Sequence, residues 1–89
     1  MPIVIVPEAL VRYTSGKKRL DFDLSNGQSF ASFLKKKQPQ LYQVLFDCYD
    51  QLNGYIAIYK NNNQIDISDN NCTFSQNDTL EIVVPISGG

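Results

Sequence analysis

Two apolar runs at opposite ends of the chain, Ile3-Val4-Ile5-Val6 and Leu80-Glu81-Ile82-Val83-Val84, decide how this sequence folds. The first is an unbroken β-branched run and only Glu81 interrupts the second. That composition suits strands with a neighbour on each side. Pro7 ends or bends the first run, and Pro85 removes a backbone donor and ends pairing after the second.

Between the two runs the pattern changes. Thr14-Ser15-Gly16-Lys17 reads as a turn. Arg19-Leu20-Asp21-Phe22-Asp23-Leu24 then alternates, which predicts a half-buried strand with Leu20, Phe22 and Leu24 inward and completes a first hairpin. Asn26-Gly27 is a turn signal. Ser29 is placed to cap a helix, its hydroxyl accepting from a free N–H of the first turn. Phe30, Phe33 and Leu34 follow at i, i+3, i+4 spacing, and Lys35-Lys36-Lys37 suit the negative end of the helix dipole. Pro39 disfavours helical geometry at Gln38, so the helix stops there. Leu41, Val44, Leu45 and Phe46 form either a second short helical turn or a packed loop. Asn53-Gly54 turns into a strand, Tyr55-Ile56-Ala57-Ile58-Tyr59. Asn61-Asn62-Asn63 turns the chain back, because Asn tolerates positive φ, and Gln64-Ile65-Asp66-Ile67 completes a second hairpin. Gln76-Asn77-Asp78 is the last turn.

The order is hairpin, helix, hairpin, final strand. The simplest packing sets the first and last strands side by side and parallel in a mixed sheet of four to five strands, with one main helix on one face. The expected fold class is therefore α+β, of the β-grasp (ubiquitin-like) type. Residues 1–84 form the domain and residues 85–89 a flexible diglycine tail.

Composition narrows what such a domain does. Eighty-nine residues make one domain, and a chain of this length buries roughly 60–65% of its unfolded surface. That leaves little room for an enclosed active site. Hydrophobic residues at 43% and charged residues at 19% mark a globular chain. A net charge of −1 carries no footprint for nucleic acid, and the Lys35-Lys36-Lys37 run reads as a solvated helix face. With no histidine, neither a His-rich metal site nor a Cys/His or Ser/His nucleophile is available. Cys48 and Cys72 lack CxxC spacing and read as two reduced, partly buried thiols. No window approaches the ~20 apolar residues of a membrane span, so a cytoplasmic protein is expected.

The tail, Pro85-Ile86-Ser87-Gly88-Gly89, is the chemical candidate. It follows directly on a central-type strand and reaches at most about 17 Å when extended, enough to thread into a partner. Without a Cβ, Gly88 and Gly89 can pass a narrow channel and leave the terminal carbonyl open to attack. The Gly89 carboxylate is ionised at neutral pH and is a poor electrophile. It needs activation, for which acyl adenylation by ATP is the obvious route. The chain has no phosphate-cradling Gly-rich loop, so a partner enzyme must catalyse that step.

These features resemble the ThiS/MoaD family of sulfur carriers nearly end to end. Gln76-Asn77-Asp78-Thr79-Leu80-Glu81-Ile82-Val83-Val84-Pro85-Ile86-Ser87-Gly88-Gly89 is similar to the family's last turn, strand, proline and small-Gly-Gly end. Asn77 stands in place of the usual turn glycine and Ser87 in place of alanine. Ile56-Ala57-Ile58-Tyr59-Lys60-Asn61 resembles the family strand that ends in a near-fixed asparagine. Pro7-Glu8-Ala9-Leu10 with Thr14-Ser15-Gly16-Lys17 is similar to carriers serving cysteine biosynthesis. The connection 39–50 is longer than in thiamin-type carriers, which points to the cysteine or molybdopterin branch.

The resemblance implies that this protein is not an enzyme and binds no cofactor. An adenylating, ubiquitin-activating-like enzyme would use ATP on Gly89, and sulfur transfer would yield a thiocarboxylate. The acceptor would be an activated serine on a cysteine-synthase-like PLP enzyme, or a pterin precursor on a molybdopterin-synthase large subunit. Ile82, Val84, Pro85, Ile86 and Ser87 are candidate partner-binding residues, although Ile82 and Val84 serve equally well as core. A ubiquitin-like modifier joined to lysines through Gly89 is the alternative.

Overall fold

The computed structural model describes residues 1–23, 29–49, 51–67 and 73–84. Strands β1 (Ile3–Ile5) and β5 (Thr79–Val83) lie side by side and parallel, with Ile3 opposite Thr79, Val4 opposite Leu80 and Ile5 opposite Glu81. β2 (Arg19–Asp21) pairs antiparallel with the free side of β1. β3 (Ala57–Lys60) pairs antiparallel with the other side of β5, and β4 (Asn63–Ile65) pairs with β3 at the edge. The sheet order is β2-β1-β5-β3-β4. The two apolar runs therefore occupy interior positions of the sheet, as their composition requires.

The first hairpin is wide. A 3₁₀ segment, Glu8–Thr14, carries the chain between β1 and β2. Thr14, 1% exposed, closes it: one hydroxyl faces the carbonyls of Val11 (3.1 Å) and Lys17 (2.6 Å). The expected turn follows, with Ser15 and Gly16 in the left-handed region at φ 57° and 84°. The second hairpin is tight. Asn61 and Asn62, at φ 51° and 72°, form a two-residue link of the kind whose twist matches paired strands. β3 begins at Ala57 and not at Tyr55, because Ile56 N–H donates to the Asn53 carbonyl (3.0 Å) and spends that stretch on a turn.

The expected main helix is present, and of the two readings left for residues 41–46 the structure takes the helical one. α1 (Phe30–Lys37) is capped as expected, with Ser29 Oγ accepting from Ser32 N–H. Gln38, at φ −138° and ψ 67°, leaves helical geometry before the proline. Pro39 then opens α2 (Pro39–Leu45), where a missing N–H costs nothing. One proline ends one helix and begins the next. Phe30, Phe33 and Leu34 of α1 and Leu41, Tyr42 and Leu45 of α2 cover Val4, Leu20, Phe22, Ile58, Leu80 and Ile82 of the sheet side. The Phe22 ring lies 4.8 Å from that of Phe33 and 5.8 Å from that of Phe30.

Cys48 is free and exposed, which corrects the expectation of a partly buried thiol. It sits in a loop turned outward by Asp47, whose Oδ1 accepts from Tyr49 N–H (2.8 Å) and Gln51 N–H (3.0 Å). Leu24, Asn26-Gly27, Cys72 and the tail lie outside the described residues. No helix among the described residues is long and apolar enough to cross a membrane.

Candidate functional site

Strand β5 leads into the tail, and its two faces differ sharply. Leu80 is fully buried and Ile82 is 2% exposed, both facing the helices. Alternate residues share a face, so Thr79, Glu81 and Val83 point outward. This corrects one candidate. Ile82 is a core residue and offers no docking surface. Val84 is half-buried against the core. Pro85, Ile86, Ser87, Gly88 and Gly89 lie beyond the described residues.

The outward surface beside the tail's base was not resolved by sequence periodicity, and register now defines it. Val83, 38% exposed, lies opposite Ala57. Glu81 sits between Ile5 and Tyr59. Ile3, Ile5, Ala57 and Tyr59 are half-buried on this face, away from the helices. Tyr55, two residues before Ala57, is 69% exposed. A face of mixed apolar groups with one central carboxylate therefore surrounds the end of β5. An apolar, solvent-facing surface of this kind is what a partner covers. Two clefts, of about 540 and 240 Å³, include no residue of β5 in their walls, although Ala57 lines the smaller one.

The start of β5 is held by a polar clip. Asn61 N–H donates to the Thr79 carbonyl (2.9 Å), and Thr79 N–H donates back to Asn61 Oδ1 (2.9 Å). Asn61 Nδ2 also donates to Asp78 Oδ1 (2.8 Å), while Ser75 N–H donates to Asp78 Oδ2 (2.7 Å). The Ser75 bond, then the Asn61 bond and the charge of Lys60, hold the Asp78 carboxyl below its usual range against the opposing effect of burial. Asp78, read from sequence only as part of the last turn, is thus a structural acceptor. The clip registers β3 against β5 and so sets which residues lie beside the end of β5.

No model of a known protein family matches this sequence, and no curated protein matches it. Solved structures do resemble it in fold. Small archaeal modifier protein 1 of Haloferax volcanii superposes with a TM-score of 0.77 at 15% identity, covering 96% of this chain and 97% of that one. A chain of the Amycolatopsis orientalis BexX/CysO complex gives 0.74 at 18% identity, covering 100% of both. Urm1 of Sulfolobus solfataricus gives 0.61 at 22% identity, covering 96% and 100%. The chain has the β-grasp fold of these proteins.

Proposed function

We propose that this chain is a sulfur carrier, a protein co-substrate whose C-terminal Gly89 carboxylate is activated and loaded by a partner. The observation that carries this reading is that Gly88-Gly89 stands within a few residues of the end of β5, an interior strand of the sheet. A central strand gives the tail a rigid base, and two glycines give it a slim end. The carboxylate oxygen attacks the α-phosphate of ATP in the partner's site and expels pyrophosphate. Sulfide then attacks the acyl carbon and expels AMP, leaving a thiocarboxylate. Where a protein persulfide attacks instead, a thiol cleaves the acyl disulfide so formed, releasing the thiocarboxylate and ending as a disulfide with the donor's sulfur.

The adenylating enzyme would dock on the outward face that carries Val83, Ala57 and Tyr59 while the tail enters its site. The acceptor enzyme is of the cysteine-synthase or molybdopterin-synthase type, following the sequence resemblance. The fold likeness to a chain of a BexX/CysO complex supports a carrier that works with a protein partner. A second reading has its own support, since one structural neighbour is by name a modifier. In that case the activated Gly89 would end in an isopeptide bond.

Intact-mass measurement of protein from its own cells tests both readings. A carrier ends at Gly89 and shows a species with one oxygen replaced by sulfur; a modifier shows covalent adducts on other proteins. Deleting Gly89, or adding one residue after it, should abolish ATP-dependent loading with an unchanged melting curve. Normal loading of the deletion variant would overturn the proposal.

A further inference from the structure

Among the described residues nothing pairs with the outer edge of strand β2. Val6 N–H donates to the Lys18 carbonyl (2.8 Å), and Phe22 N–H donates to the Pro2 carbonyl (2.9 Å). Residues 18, 20 and 22 therefore direct their backbone groups to β1, and Arg19 and Asp21 direct theirs away from it. Among the described residues those outward groups make no hydrogen bond. They border the cleft of about 540 Å³, whose other wall is Phe33 and Lys37 of α1.

The charges along this edge specify what fits it. Lys17 and Arg19 precede Leu20, and Asp21 and Asp23 follow it. All four line the cleft, and Lys37 adds a cation. Leu20 and Phe33 are only 5% and 3% exposed, so little apolar surface remains to drive binding. An occupant must instead supply a strand edge with carboxylates opposite the cations and cations opposite the carboxylates. The run Lys17-Lys18-Arg19-Leu20-Asp21-Phe22-Asp23, reversed about Leu20, meets that requirement itself.

We propose that β2 pairs antiparallel with β2 of a second copy of this chain, about a two-fold axis through Leu20. Arg19 of each copy stands opposite Asp21 of the other, and the two exchange both N–H···O bonds. Their side chains share the outward face and form cross-strand ion pairs. Lys17 and Asp23 stand opposite one another at the ends. The sheets of the two copies become continuous, and an open edge is closed. β1 separates β2 from β5, so the tail's strand stays free in the dimer.

The contact is short and polar, so the dimer is weak and salt-sensitive, with a dissociation constant of roughly 100 μM to 1 mM. Analytical ultracentrifugation and concentration-dependent amide NMR of the full chain test it. The expected result is dimerisation with shifts centred on Arg19–Asp21, weakened about tenfold or more by Arg19→Asp. The double exchange Arg19→Asp with Asp21→Arg restores the pairing and should recover the dimer. Asp21→Pro removes an outward N–H, which an edge strand tolerates, together with the Asp21 carboxylate, leaves the bonds to β1 in place, and should also weaken association while the melt holds. A chain that stays monomeric at millimolar concentration overturns the proposal. So does a dimer indifferent to Arg19→Asp, or a folded double exchange that fails to recover association.

Discussion

Asn61 does three things at one position. Its left-handed backbone (φ 51°) helps turn the hairpin, its N–H pairs with β5, and its side chain binds both Thr79 and Asp78. Replacing it with Ala should cost about 1–3 kcal/mol in urea denaturation, from unpaired polar groups and a disfavoured φ. Asp78 makes the clip pH-dependent. Its carboxyl titrates lower in the folded chain than in the unfolded one. Its contribution is therefore present above the ordinary Asp value of about 3.9 and is lost as pH falls through the lower folded value. Thermal melts from neutral pH down to about pH 3 should show a smaller acid loss in Asp78→Asn than in the natural chain. Equal losses would remove Asp78 from this role. Sequence marked Asn61 through family resemblance but read Asp78 only as part of a turn, because its partners Ser75 and Asn61 meet it only after folding.

Among the elements, α1 followed local rules closely. Ser29 caps it, Phe30, Phe33 and Leu34 form its buried face, and the residue before Pro39 ends it. Phe33→Ala should cost about 3–5 kcal/mol, since it empties the stacked contact with Phe22; an unchanged denaturation midpoint would rule this packing out. α2 remained open in sequence between a helical turn and a loop. Its stability comes from docking, with Leu41 and Leu45 fully buried and Tyr42 stacked on Phe46 at 5.1 Å. The start of β3 was misplaced by two residues for a related reason. Tyr55 has strand character, but the Asn53–Ile56 turn claims it.

Across the whole molecule, the decisive property is which side of the sheet the helices cover. Ile82 and Val83 are adjacent and chemically similar, yet one is core and the other is outward. Val83→Asp should leave stability within about 0.5 kcal/mol while lowering the rate of adenylation by the partner. Ile82→Asp should unfold the domain, because it buries an unpaired charge. Similar stability for the two variants would contradict the assigned faces. By itself the sequence determined the order of the strands and of α1, the interior position of the two terminal runs, the cap and end of α1, and the chemical candidate at Gly88-Gly89. Those follow from local geometry: β-branching, proline's fixed φ, helical spacing and the missing Cβ of glycine. The tertiary structure alone decided the helix-covered face, and with it the split of β5 into core and outward residues. It also brought Asn61 to Asp78 and, among the described residues, left the β2 edge open. Such features depend on contacts between residues far apart in the chain, which an alternating pattern fits equally well on either side of a sheet.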